Sequence, residues 1–170
     1  MHIVLQTPRL YLRRFTMEDA PLLVELNSDP EVIKYVHELP LTSLEKSKEI
    51  LNDIILPQYQ HNLGRWAAYI KNTNEFIGWC GLKYRPELDE IDLGYRFQKK
   101  YWGMGYATEA AQHTLNYGFN MLNLKLITGR AHIENIASLK VLEKIGMQFM
   151  KEETVDDNPV KTYTAANPHF

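Results

Sequence analysis

The chain has a single cysteine, Cys80, in 170 residues, which excludes an intrachain disulfide framework and a cysteine-built structural zinc site. It has no excess of positive charge either: 19 lysines and arginines face 21 aspartates and glutamates, a formal charge of −2. That balance gives no basic footprint for nucleic acid and no polybasic patch for a membrane surface. No apolar run approaches the roughly 18 residues of a membrane span. The opening Met1-His-Ile-Val lacks the charged-then-apolar order of a secretory leader. The six histidines, His113 and His132 among them, show neither H-x-x-x-H nor H-E-x-x-H spacing, so no metal is expected. A G-x-S-x-G elbow, internal repeats and low-complexity tracts are also missing.

What is present is globular in kind. Hydrophobic residues make up 45%, charged residues 24% and aromatic residues 11%. At about 150 residues per domain, residues 1–170 read as one domain. A chain of this length should bury about 70% of its unfolded surface. The expectation is a soluble, cytoplasmic protein, monomeric or homodimeric.

Periodicity gives the element order. Gln6–Phe15 alternates as a strand, and Thr16 with Asp19 forms a capping box ahead of a helix ending near Asn27. Asp29-Pro30 reads as a second helix start, and Thr42 with Glu45 as a third, ending at Pro57. Then the period changes to that of strands: Arg65–Ile70, Glu75–Tyr84 and Glu90–Phe97. Gly105–Leu122 reads as a long helix with a small-residue face through Ala107, Ala110, Ala111, Thr114 and Gly118. Strand Lys125–His132, helix Ile136–Ile145 and strands Met147–Val155 and Lys161–Ala166 complete the chain. This is a mixed α/β, or α+β, chain in which Glu90–Phe97 should lie parallel to Lys125–His132.

The chemically informative stretch is Gly94–Ala110, G-Y-R-F-Q-K-K-Y-W-G-M-G-Y-A-T-E-A. A strand ends, two glycines follow, and a helix begins at once. Amides at a helix start lack intrahelical partners, and glycines let a bulky anion approach them. This is a diphosphate cradle that needs few basic side chains. It is neither a P-loop nor a G-x-G-x-x-G fingerprint, which fails at Thr108. Taken alone, two glycines before a helix are more often just a tight turn.

Four segments together resemble the GNAT superfamily of N-acetyltransferases, in its RimJ/RimL-like branch, over nearly the whole chain. They are Thr7–Ala20, Ser28–Tyr35, the Trp102–Ala107 pyrophosphate motif, and Asn135–Ser138 running on to Gly146-Met147. The resemblance implies a central, mostly antiparallel twisted sheet with a splayed parallel strand pair and flanking helices. It implies acetyl-CoA as cosubstrate and a primary amine as acceptor, either a small molecule or a protein N-terminus. The diphosphate would meet the amides of Gly103, Met104, Gly105, Tyr106, Ala107 and Thr108, with Trp102 where the wider superfamily has Gln or Arg. The pantetheine arm would run along the main chain of Tyr95 and Phe97, with Asn135 opposite. The Tyr95 N–H would meet the thioester oxygen.

One position departs from the wider superfamily. Leu142 occupies the place of a frequent tyrosine acid and cannot donate a proton. Ser138, one turn earlier, would stabilise the leaving thiolate by a hydrogen bond. Glu90 and Asp92 alternate onto one strand face, and either could take the amine proton; both equally suit solvated strand positions. An α-amine is about one-tenth neutral at pH 7, whereas deprotonating lysine costs over roughly 4 kcal/mol. His132 is an outside candidate for the base. Cys80 reads as a buried structural thiol. Segments Ser28–Leu41 and Pro86–Glu90 carry Asp29, Glu31, Glu38, Glu87, Asp89 and Glu90 against Lys34 alone among lysines and arginines, and are expected to form a site that prefers cationic amines. The competing reading is a non-catalytic acyl-CoA-binding or regulatory module.

Overall fold

Thr7, Pro8 and Arg9 divide the first apolar stretch. The Thr7 N–H donates to Leu10 O at 2.9 Å, and the Thr7 hydroxyl accepts from the Leu10 N–H at 2.9 Å. The chain therefore doubles back, and the single strand expected over Gln6–Phe15 is a hairpin of β1 (Ile3–Gln6) and β2 (Leu10–Arg14). The computed structural model describes residues 1–36 and 38–170. Beyond the hairpin it contains β3 (Gly64–Ile70), β4 (Phe76–Arg85), β5 (Glu90–Phe97), β6 (Leu126–His132), β7 (Gln148–Val155) and β8 (Asn158–Ala166). The helices are α1 (Ala20–Asn27), α2 (Leu44–Ile50), α3 (Tyr106–Asn120) and α4 (Ile136–Lys144).

The expected capping box forms, with Asp19 Oδ2 accepting from the Thr16 N–H at 2.8 Å. Two helix predictions do not hold. After Asp29 the chain makes turns over 30–35 instead of a helix. The Asp29 carboxylate accepts from the Glu31 N–H at 2.9 Å, so the aspartate bonds locally as in a turn. The next helix is capped by Ser43, whose hydroxyl accepts from the Lys46 N–H at 3.2 Å, not by Thr42. Pro57 does not end it. A wide π segment, Leu51–Ile55, precedes the proline, and helical turns continue to His61.

The strand order is β1-β2-β3-β4-β5-β6-β8-β7. Every pair is antiparallel except β5–β6, the parallel pair expected from sequence. The long helix α3 connects that pair, and its small residues explain how closely it lies on the sheet. A Cβ on Gly118 would come within 2.7 Å of Ile127 Cδ1 and 3.1 Å of Leu82 Cδ1. Trp66 meets Tyr117 edge-on at 5.5 Å, and Cys80 Sγ lies 3.4 Å from Thr114 Oγ1. Cys80 is fully buried as expected, and burial pushes its thiol up to about 12.

The feature that positions the site is a notch in the sheet. β5 and β6 pair only at Asp92↔Thr128 and Leu93↔Gly129. Beyond that point β5 follows β4 to Gly78↔Phe97, while β6 follows β8 to His132↔Val160. The Gln98 N–H donates to Ile77 O. In that register Gly94 and Arg96 turn their main-chain groups to β4, and Tyr95 and Phe97 turn theirs into the notch.

Candidate active site

The loop from the end of β5 to α3 lies below the notch. Gly103 and Gly105 hold φ of +77° and +82°, the left-handed region that side chains disfavour. A Cβ on Gly103 would meet nothing within 4 Å, so the space above this loop is open. Gly105 is the N-cap of α3 and supplies no side-chain cap, which leaves the amides of Tyr106, Ala107 and Thr108 directed outward. Those donors, with the dipole behind them, suit a diphosphate.

A clamp that the sequence did not reveal fixes this loop from the β1–β2 turn. Arg9 donates to Met104 O at 2.9 Å, pairs with Glu109 at 2.7 Å and stacks over Tyr106 at 4.3 Å. The Thr7 hydroxyl and the Arg9 N–H also donate to Glu109, at 2.5 and 2.8 Å. Burial by itself would raise the Glu109 carboxyl, but the hydrogen bonds from Thr7 and Arg9 outweigh it and hold the group below its usual range. The signal was present in the T-P-R opening and in Glu109, a hundred residues apart; only the fold brings them together.

Trp102 does not point to the amide cradle alone. Its indole N–H donates to Phe97 O at 2.9 Å and occupies one lone pair of a carbonyl that faces the notch. Tyr95 O, Tyr95 N–H and Phe97 N–H remain directed into it. Tyr95 and Phe97 side chains stack at 6.0 Å on the helix face. From there Tyr95 Oη reaches across the notch to Ser138 Oγ, 2.6 Å away on α4. Burial pushes the Tyr95 phenol up to about 12, with the Ser138 bond opposing, so it stays protonated at neutral pH. Asn135 caps α4, its side-chain oxygen accepting from the Ser138 N–H at 3.2 Å. It therefore orients Ser138. Leu142 is buried against β6, where a Cβ on Gly129 would come within 2.9 Å of it.

The opposite face of the sheet carries a cavity of about 510 Å³ that reaches Ser138. Gly81 and Gly94 face one another across β4–β5 and leave its floor without side chains. The strand register puts Arg65, Lys83, Asp92, Arg96 and Arg130 on this same face. Arg130 binds Glu90 at 2.5 Å and Asp92 at 2.9 Å, and Arg85 reaches Asp92 at 3.5 Å. The two carboxylates singled out from sequence are thus brought together, by an arginine the sequence reading passed over. Burial raises the Asp92 carboxyl to about 6 against the pull of Arg130 and Arg85, with the Glu90 charge adding to the rise.

His132 lines the cavity, but its Nδ1 accepts from the Glu134 N–H at 3.1 Å. The neutral ring then carries its proton on Nε2 and has no free lone pair for a base. Of the acid-rich segments expected to form the acceptor site, only part lines this cavity. Tyr35, Val36 and Glu38 line the cavity, whereas Asp29, Glu31 and the Pro86–Asp89 turn do not; His37 lies outside the described residues. The β7–β8 turn takes the place of the latter, through Val155, Asp156 and Asn158. Glu38 is bound to Arg96 at 3.1 Å, so the acidity of its segment is not the acidity of the cavity.

Comparison with known proteins fits this architecture. Residues 9–148 match the Acetyltransferase (GNAT) domain family. The chain is 35% identical over 154 residues to "Uncharacterized N-acetyltransferase p20" of Bacillus licheniformis, covering 90% of this chain and 85% of that protein. A GNAT-family acetyltransferase structure from Bacillus anthracis aligns with a TM-score of 0.79 at 29% identity, over 98% of this chain and 99% of that one. RimL, a ribosomal L7/L12 alpha-N-protein acetyltransferase solved with coenzyme A, shares the fold at TM-score 0.82 and 16% identity, over 97% and 98% of the two chains. The fold, a split sheet over a glycine-opened helix, is thus one found among solved acetyltransferases. The chain belongs to the GNAT acetyltransferase family. It is an acetyl-CoA-dependent acyltransferase.

Proposed function

We propose that the chain moves the acetyl group of acetyl-CoA onto a primary amine that enters through the 510 Å³ cavity. The observation that carries this reading is the notch. Main-chain groups of Tyr95 and Phe97 that no neighbouring strand pairs open on one side to the amides of 103–108 and on the other to Ser138 and the cavity. The diphosphate rests on the amides of Gly103–Thr108 beside Trp102. The amide-bearing arm adds to β5 as an extra strand would. Asn135 and Ser138 form the other wall.

The neutral amine attacks the thioester carbonyl, whose oxygen is met by the Tyr95 N–H. The carbon–sulfur bond breaks, and the electron pair leaves on sulfur. Ser138 donates to that thiolate and is itself supported by the Tyr95 hydroxyl at 2.6 Å. A phenol from β5 thereby supplies the donor that Leu142 cannot. A thiol of pKa about 8.5 needs little more. The amine proton passes to Asp92 through water, with Glu90 and Arg130 holding the carboxylate in place.

The test is release of free coenzyme A from acetyl-CoA in the presence of an amine panel. Turnover with a primary amine, lost in Ser138→Ala while acetyl-CoA still binds, is the expected result. Binding with no turnover by the wild-type chain on any amine would instead favour a binding module.

A further inference from the structure

Most cations on the cavity face have acidic partners. Arg96 has Asn27 and Glu38, Arg130 has Glu90 and Asp92, and Arg85 has Asp156 at 2.5 Å. Arg65 and Lys83 differ. They line the same cavity, and among the described residues neither head group has a hydrogen-bond acceptor or an ion-pair partner. Arg65 lies flat over Trp79 at 4.7 Å, which holds the guanidinium without neutralising it. The Trp79 indole N–H is itself buried and has no acceptor, and Trp79 also lines the cavity. Three donor groups therefore line one cavity with none of them hydrogen-bonded to an acceptor among the described residues. The charges of Glu38 on Arg65 and of Glu87 and Asp156 on Lys83 partly offset the burial. Burial first, then neighbouring cations, depress both basic groups: Arg96 acts on Arg65, which falls to about 10, and Arg65 and Arg85 act on Lys83. Such a constellation is unfavourable when empty and is relieved by a group that only accepts hydrogen bonds.

We infer that Arg65 and Lys83, on the tryptophan face of the cavity, bind an anionic group of the acceptor, so that the preferred amine carries a carboxylate or phosphate. This rests on the acyl-transfer reading above and reverses the cationic preference expected from the Ser28–Leu41 and Pro86–Glu90 acids. A planar guanidinium beside an ammonium suits either oxyanion. Asp92, on the same face and held by Arg130 at 2.9 Å, is the group that serves the amine end.

The experiment compares amines that carry or lack the anion, with each rate referred to the neutral fraction of that amine: alanine with alaninamide, and phosphoethanolamine with ethanolamine, with spermidine as a polycation. Each is assayed by coenzyme A release, while calorimetry with coenzyme A is run separately on the same protein. At least one anionic member should exceed its neutral partner in kcat/KM by about tenfold or more, as expected for a charged hydrogen-bonded contact. The two pairs tell carboxylate from phosphate. Arg65→Gln should bring that ratio close to one without changing coenzyme A affinity, Arg65→Lys should restore part of it, and Lys83→Met should lower it. Equal use within both pairs, preference for spermidine, no use of either anionic amine, or a ratio that survives Arg65→Gln would overturn the inference. Loss of coenzyme A binding by the wild-type chain would defeat the acyl-transfer reading itself.

Discussion

The two sides of the notch are built from different material. On the helix side the groups offered are main-chain amides and carbonyls, held by glycine conformation, a helix start and tight packing at Gly118 and Gly129. On the cavity side they are charged side chains from four strands, β3 to β6, set on one face by register. A backbone site takes a ligand whose form does not vary, since nothing in it can be exchanged by changing side chains. A side-chain site can be retuned residue by residue without disturbing the sheet. In the proposed function the cosubstrate accordingly takes the first side and the acceptor the second.

Substitutions should separate the two sides, beginning with the largest effect. Gly105→Val strains a φ of +82° and brings a Cβ to 3.3 Å from the Arg9 guanidinium that clamps the loop. Calorimetry should find coenzyme A affinity reduced by roughly a hundredfold or more, about 3 kcal/mol; near wild-type affinity would remove the cradle from the account. Ser138→Ala should lower kcat by about tenfold to a hundredfold, the loss of one hydrogen bond to a charged group. Its acetyl-CoA affinity should change by less than about twofold, and a matching loss of both would make Ser138 a packing residue. Tyr95→Phe should show the same pattern more weakly.

The cavity side has a pH signature. Asp92 can accept a proton only when ionised, and its carboxyl sits near 6. Steady-state rates, referred to the neutral fraction of the acceptor amine, should therefore climb through about pH 6 and level above it. In Asp92→Asn that limb should vanish along with most of the rate. A limb that persists in the variant would move the base elsewhere.

The smallest effect concerns the clamp that joins the β1–β2 turn to the start of α3. Glu109 has a carboxyl lowered from 4.5 in the folded state, so its contribution is present above the unfolded value and is lost as pH falls through the folded one. Glu109→Gln should cost about 1–3 kcal/mol at pH 7 in denaturant unfolding, and less at pH 3. An equal cost at both pH values would contradict the ionic account.

Much of the backbone side was legible before the structure. Alternation gave Glu90–Phe97 with the observed boundaries, and the small-residue face of Gly105–Leu122 marked the helix that lies on the sheet. Gly103 and Gly105 pointed to the cradle because a local conformational need is written in consecutive residues. The errors fell where local and distant forces compete. Asp29-Pro30 satisfies helix-start preferences, yet its carboxylate closes a turn; Thr42 and Ser43 both cap well, and packing selects Ser43. Pro57 would end a regular helix but is accommodated behind a π turn.

The cavity side was legible only in pieces. Glu90 and Asp92 could be placed on one face by parity, but their partner Arg130 lies on β6, reached through α3. Arg65, Lys83 and Trp79 come from separate strand positions whose convergence depends on register. A charge tally over Ser28–Leu41 could not reveal that Glu38 is bound by Arg96. One clue was present: charged residues at 83, 85, 92 and 96 punctuate otherwise apolar strands, and such strands bury charge only with a reason.

The central claim is that main-chain groups, not side-chain charges, hold the coenzyme. Amide hydrogen exchange with and without coenzyme A tests it most directly. Slowed exchange is predicted at the amides of 103–108 and at Tyr95 and Phe97, with little change over β7 and β8. Binding that leaves those amides as fast as before, or that protects other segments instead, would contradict it.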